Sequence, residues 1–79
     1  MKAKVHVFLK PGVLDVQGKA IEGALHGLGF AEARNVRVGK TIELELDGAD
    51  AEAAEAKARQ MAEQLLANTV IEGYRVEVG

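Results

Sequence analysis

The chain contains no cysteine, serine or tryptophan, and only two threonines, two histidines and one proline. Without cysteine there are no disulfides and no thiolate metal sites, which fits a reducing compartment. Without serine or cysteine the common nucleophiles are gone, and neither Thr41 nor Thr69 sits in a nucleophile motif. His6 falls in an alternating segment and His26 on the polar side of a predicted helix, neither with a third ligand at metal spacing. Large side chains are scarce as well. The aromatics are Phe8, Phe30 and Tyr74, and many of the apolar residues are alanines. No sign of charge dominates: the net charge is −2 and the two signs are interspersed, which leaves no footprint for nucleic acid or an anionic membrane. Apolar runs fall far short of the ~20 residues that span a bilayer. The opening MKAKVHVFLKPG is broken by lysine and histidine and is followed by no small-residue cleavage site, so it does not read as a signal peptide and a cytoplasmic protein is expected.

What is there is one domain's worth of chain, residues 1–79. Scaffolds of this size bury only ~60% of their unfolded surface and usually lean on disulfides, a metal or self-association. With few large side chains and no cysteine, self-association is the expected support.

Ala3, Val5, Val7 and Leu9 alternate with Lys4, His6, Phe8 and Lys10, the period of a strand with one buried face, and Pro11-Gly12 ends it. Asp15 then caps a predicted helix with Ile21, Ala24, Leu25 and Leu28 on one side and Gly29 as a left-handed terminator. That helix is weak, since Gly18, Gly23 and Gly27 each cost ~1 kcal/mol relative to alanine. Next, Val36 and Val38 alternate with Asn35 and Arg37, and Ile42, Leu44 and Leu46 with Thr41, Glu43, Glu45 and Asp47. Two strands joined at Gly39-Lys40 fit this pattern, as does one long strand bent at Gly39. Asp50 caps a second helix with Ala54, Ala58, Met61 and Leu65 as its apolar stripe, Glu55 paired to Arg59, and Asn68 near its end. Tyr74, Val76 and Val78 form a last strand.

The order strand-helix-strand-strand-helix-strand predicts an α+β, ferredoxin-like two-layer sandwich, an antiparallel sheet with two helices on one face. In the usual strand order of that fold, 4-1-3-2, the open face carries Lys4, His6 and Phe8 beside Glu43 and Glu45, flanked by Arg37 and Arg75. Opposite charges there can pair across strands, with Phe8 as an apolar anchor for a neighbouring sheet. Enzyme and ligand readings of the fold fail on residues. Lys10 to Asp15 has one glycine, a proline without a donor and an acidic cap where a phosphate would sit, and Val38-Gly39-Lys40 lacks phosphate-loop spacing. The first strand-helix loop has no arginine for acyl-phosphate chemistry, and the central strands lack the paired aromatics of an RNA binder.

Three segments carry a resemblance: KPGVLD at Lys10 to Asp15 followed by QGKAIEGALHGLGF at Gln17 to Phe30, VRVGKTIELEL at Val36 to Leu46, and LLANTVIEGYRVEV at Leu65 to Val78. In this order and in a chain of this length, the sequence is similar to the small S subunits of bacterial and archaeal phosphoribosylformylglycinamidine synthase. That family commonly has proline where this chain has Val16 and Thr69. The resemblance implies a subunit without catalytic residues, cofactor or metal of its own. It also implies assembly of a glutaminase subunit with a large synthetase subunit, on which ATP and magnesium are expected, and formation of a homo-dimer or homo-tetramer. On motif position it places subunit contacts within Lys10 to Asp15 (Lys10, Pro11, Gly12 and Asp15), at Gln17 and Gly18, at Val38, Gly39 and Lys40, and within Asn68 to Tyr74 (Asn68, Glu72 and Tyr74); the open sheet face adds Phe8. The competing expectation from the residues is a ferredoxin-like regulatory domain that senses a small molecule between protomers.

Overall fold

The computed structural model describes residues 1–48 and 50–79. Strand β1 (Lys2–Leu9) lies between β2 (Gly39–Glu45) and β3 (Glu72–Val78), antiparallel to both, in the order β2-β1-β3. Helix α1 (Val16–Gly27) follows β1, and helix α2 (Ala51–Met61) follows β2. The alternation in β1 works as its sequence predicts. Ala3, Val5 and Val7 are fully buried, and each faces an apolar residue on one or both neighbouring strands: Val5 pairs with Ile42 and Val76, Val7 with Tyr74. Burying such a valine stabilises the fold by roughly 1.5–3 kcal/mol. Ala58 and Ala62 of the second helical segment, with Ala67 after it, close over them, so the alanine content lets helix and sheet approach closely.

The α+β architecture holds, with one strand fewer than expected. Val36–Val38 is not a strand, and Gly39-Lys40 is the start of β2 and not a hairpin turn or a mid-strand bend. The cause is competition for backbone donors. Val38 N–H goes to Asp15 Oδ2 at 2.7 Å and Val36 N–H to Glu22 Oε1 at 3.3 Å, so carboxylates of the α1 region take the bonds that a ladder would need. Asn35 just before them has φ of 55°, which turns the chain out of an extended path. The sheet is thus the 4-1-3 part of the expected order, and Arg37 flanks no strand but donates to the Lys10 carbonyl at 3.0 Å.

The second helix also departs from its expected stripe. α2 runs into a π-helical turn, Ala62–Leu66, in which Ala67 N–H reaches Ala62 O at 3.0 Å. The inward face follows Ala58 and Ala62 at ordinary helical spacing, which leaves Met61 outward, and the wider turn then brings Leu66 onto the core and leaves Leu65 82% exposed.

Helix α1 makes the larger difference. Asp15 caps it and Gly29, at φ of 100°, ends it as predicted, but no residue of α1 joins the core among the described residues. Leu28 is 74% and Phe30 51% exposed, and Ile21 is exposed too. The chain measures 49 × 24 × 14 Å with a radius of gyration of 15.8 Å, against ~12 Å for a compact chain of this length. Among the described residues, α2 and the turn that continues it cover the sheet, and α1 does not. At Gly23 an added Cβ would meet nothing within 4 Å, so Gly23→Ala raises stability by about 0.5–1 kcal/mol through helix propensity alone. The measurement is a urea midpoint; a lowered midpoint would mean that this side of α1 is occupied in solution.

Candidate functional site

The surface that gathers most of the predicted contact residues is built on the turn between β1 and α1. Lys10 N–H continues the β1–β3 ladder to Ile71 O, and Val13 N–H closes a turn onto Lys10 O at 2.9 Å. Lys10 Nζ reaches across to Thr69 O at 2.8 Å. One lysine therefore joins the β1–α1 turn to the loop before β3, while the Arg37 bond joins the same turn to the segment before β2.

Asp15 is the hub. It is 4% exposed, and its two carboxylate oxygens accept Gly18 N–H and Val38 N–H, each at 2.7 Å. These two donors, Val38 first, hold its pKa below the ordinary 3.8; the charge of Arg37 and the Gln17 N–H add to them, and burial opposes them. Gly18 is required beside it, because a Cβ there would collide with the Val36 carbonyl oxygen. Gly39 is likewise tight, its would-be Cβ lying 2.8 Å from Val7 O.

Two adjoining clefts result. The larger, about 510 Å³, is lined mainly by apolar groups, among them Phe8, Leu9, Pro11, Leu14 and Val36, with Asp15, Lys19, Glu22 and Arg37 at its margins. The smaller, about 270 Å³, lies among Gln17, Val38, Gly39, Lys40 and Glu72 and shares Phe8, Leu9 and Asp15 with the first. Pro11, Gly12 and Leu14 are exposed around the turn, and Gly18 is buried under it. Asn68 shapes the neighbouring loop: its N–H donates to Glu72 Oε1 at 2.7 Å, and its side-chain oxygen accepts Val70 N–H. Tyr74 belongs elsewhere. Its hydroxyl donates to Glu63 Oε1 at 2.7 Å against the helical layer, a bond that raises its pKa.

Lys19, Glu22, Asn35 and Val36 are cleft residues that the sequence reading did not place at the contact surface, and Arg37, expected beside the open sheet face, lines the cleft instead. Lys19 and Glu22 follow Asp15 on α1, while Asn35, Val36 and Arg37 arrive through folding of a segment some twenty residues away. On the open sheet face, Lys4 Nζ sits 3.8 Å from Glu43, as the cross-strand pairing predicts. His6 shares a 3.0 Å hydrogen bond with the Thr41 hydroxyl and lies 3.6 Å from Glu77. Phe8 is flanked by Gly39 and Gly73, with its ring edge against Gly73.

Among the described residues no three histidine, aspartate or glutamate side chains gather as a metal site, and no helix is long and apolar enough to cross a membrane. The clefts offer apolar walls, exposed backbone and charged rims, the chemistry of protein docking and not of bond making.

Residues 2–79 match the family described as PurS, phosphoribosylformylglycinamidine (FGAM) synthase. The Bacillus subtilis protein named phosphoribosylformylglycinamidine synthase subunit PurS is 48% identical over 77 residues, covering 98% of this chain and 90% of that one. The crystal structure of Methanocaldococcus jannaschii PurS, described as one of the subunits of formylglycinamide ribonucleotide amidotransferase in the purine biosynthetic pathway, aligns with a TM-score of 0.90 at 36% identity, covering 99% of this chain and 94% of that one. A chain of the Thermotoga maritima PurLQS structure aligns with a TM-score of 0.89 at 31% identity, covering 99% and 95%.

Proposed function

Because the chain belongs to the PurS family of phosphoribosylformylglycinamidine synthase subunits, we propose that it is the small, non-catalytic subunit of that synthase, docking a glutaminase subunit and a large synthetase subunit in the cytoplasm. The assembled enzyme converts formylglycinamide ribonucleotide to formylglycinamidine ribonucleotide with ATP and glutamine, in de novo purine synthesis. This chain supplies no reactive group and holds no cofactor. ATP and magnesium belong on the synthetase subunit, and ammonia released from glutamine passes between the larger partners while this subunit keeps them together.

The observation that carries the reading is helix α1, whose apolar side chains find no place in the chain's own core, next to a cleft surface tied down by Asp15. An apolar helix held outside a small core is supported by protein partners. It serves a homo-dimer or homo-tetramer as well as the larger subunits. Family membership favours this reading over metabolite sensing.

Reconstitution tests it. The purified chain alone has neither glutaminase nor synthetase activity, and adding it to the two larger subunits restores glutamine-dependent turnover. Ile21→Asp, which places a charge on the exposed apolar side of α1, lowers both that restoration and the chain's own association by tenfold or more. Turnover without the chain, or none with it, overturns the assignment.

A further inference from the structure

The pairing of β1 with β2 stops one residue short of a further rung. Met1 and Leu46 exchange both of their backbone bonds, at 2.9 and 2.8 Å, so they are a hydrogen-bonded pair. Every second pair after them is of the same kind: Ala3 with Leu44, Val5 with Ile42, Val7 with Lys40. The next would be Leu9 with Val38, directly beyond the last pair, Phe8 with Gly39. Among the described residues that rung is not made, because Val38 N–H goes to Asp15 Oδ2 at 2.7 Å.

The two arrangements are closely matched. The bond to Asp15 has the advantage of a charged acceptor. Arg37 adds to it by holding the Lys10 carbonyl at 3.0 Å, whereas on the ladder Arg37 would stand directly opposite Lys10, like charge against like. In favour of the rung, Leu9 and Val38 are both half-buried and would meet on the face that carries Val5, Val7 and Ile42. The alternation of Val36, Arg37 and Val38 is itself that of a strand. Pro11 has no N–H, so the ladder gains this one rung and ends.

We propose that residues 36–38 are a strap with two seats, one on the Asp15 carboxylate beside α1 and one on Leu9 at the end of the β1–β2 ladder, and that Asp15 selects the first. A donor with a second acceptor within reach leaves the first at small cost, because it is never stranded. In the second seat Val36 and Arg37 quit the wall of the larger cleft, so the strap sets whether that cleft is formed. This last consequence rests on the docking role proposed above; the two seats do not.

Amide hydrogen exchange followed by NMR on the isotope-labelled full chain reads the strap. Asp15→Asn keeps an oxygen for Gly18 N–H, and with it the cap of α1, but turns an NH2 group toward Val38, which loses its acceptor. The Leu9 amide then exchanges about tenfold more slowly than in the wild type, read against the Val7 amide one rung back, and a close amide–amide contact joins Leu9 to Val38. Adding Arg37→Glu sets opposite charges at positions 10 and 37 and slows Leu9 further. Arg37→Glu alone, which leaves Asp15 in place, moves Leu9 the same way by a smaller factor, so the answer does not depend on Asp15→Asn folding. A Leu9 amide that exchanges as in the wild type in these variants overturns the proposal. In reconstitution with the two larger subunits, Asp15→Asn restores less turnover than the wild type; full restoration beside a slowed Leu9 amide removes the consequence for docking and leaves the strap standing.

Discussion

Asp15→Ala lowers the thermal midpoint by about 10 °C at fixed protein concentration, measured by circular dichroism. A buried backbone donor, that of Gly18, and a half-buried one, that of Val38, lose their acceptor together. The loss is more than that of an ordinary helix cap, because Val38 belongs to the segment that the carboxylate keeps out of the sheet. Asp15→Asn, which retains one good acceptor, falls between. The effect also has a pH signature. Folding holds the Asp15 pKa below its ordinary value of 3.8, so its contribution is complete above that value and disappears as pH falls through the lower, folded pKa. The gap between wild type and Asp15→Asn is therefore wide at pH 6 and closes only as pH falls below 3.8 and through the lower, folded pKa. A gap that stayed constant across that range would mean that the carboxylate's charge contributes nothing.

Gly18→Ala destabilises the protein by about 1–2 kcal/mol, opposite in sign to the effect expected at Gly23 five residues on. Both lie in α1, and alanine should improve the helix at either. At Gly18 the new methyl group runs into the Val36 carbonyl oxygen and stands 3.0 Å from Asp15 Cγ, and both belong to the same pinned arrangement. Backbone cannot swing aside as the end of a long side chain can, so steric cost exceeds the propensity gain. The pair of urea midpoints, one down and one up, is the measurement. Gly18→Ala also weakens reconstitution with the larger subunits, since the cleft walls at Val36 and Arg37 shift with it. A rise in midpoint at Gly18 would remove the close approach of α1 to the 36–38 segment.

What the sequence made legible was whatever depends on short-range periodicity. Ala3-Val5-Val7, Ile42-Leu44 and Tyr74-Val76-Val78 lie where alternation puts them, and Asp15 and Asp50 cap their helices through the third residue on. Val36-Arg37-Val38 alternates equally well and still forms no strand, because the donors it offered were taken by Asp15 and Glu22 from across the fold. Met61 and Leu65 satisfy a 3.6-residue repeat, yet the inward face follows Ala58 and Ala62, and the wider turn beyond them puts Leu66 on the core in place of Leu65. At the candidate site, Lys10, Asp15, Gln17, Val38, Gly39, Lys40 and Glu72 were placed by motif position, and the fold draws them around the adjoining clefts and their loop. Tyr74 carries motif weight but serves the helical layer, and Arg37 became a cleft residue only through its bond to Lys10. Periodicity reports which face a residue occupies within one element, and is silent on which distant segment completes its surroundings.

Helix α1, held by its cap and not by the core, divides the chain into two units of unequal protection. Amide hydrogens of β1, at the centre of the sheet, exchange with solvent only when the whole chain opens. Those of α1 are released by a smaller event, loss of the Asp15 anchor followed by unwinding of a helix that carries three glycines. Partners that lay against α1 would slow its exchange and leave β1 nearly unchanged, so the subunit's order is completed by assembly. A small protein built this way keeps its most adaptable element at the surface where it meets its neighbours.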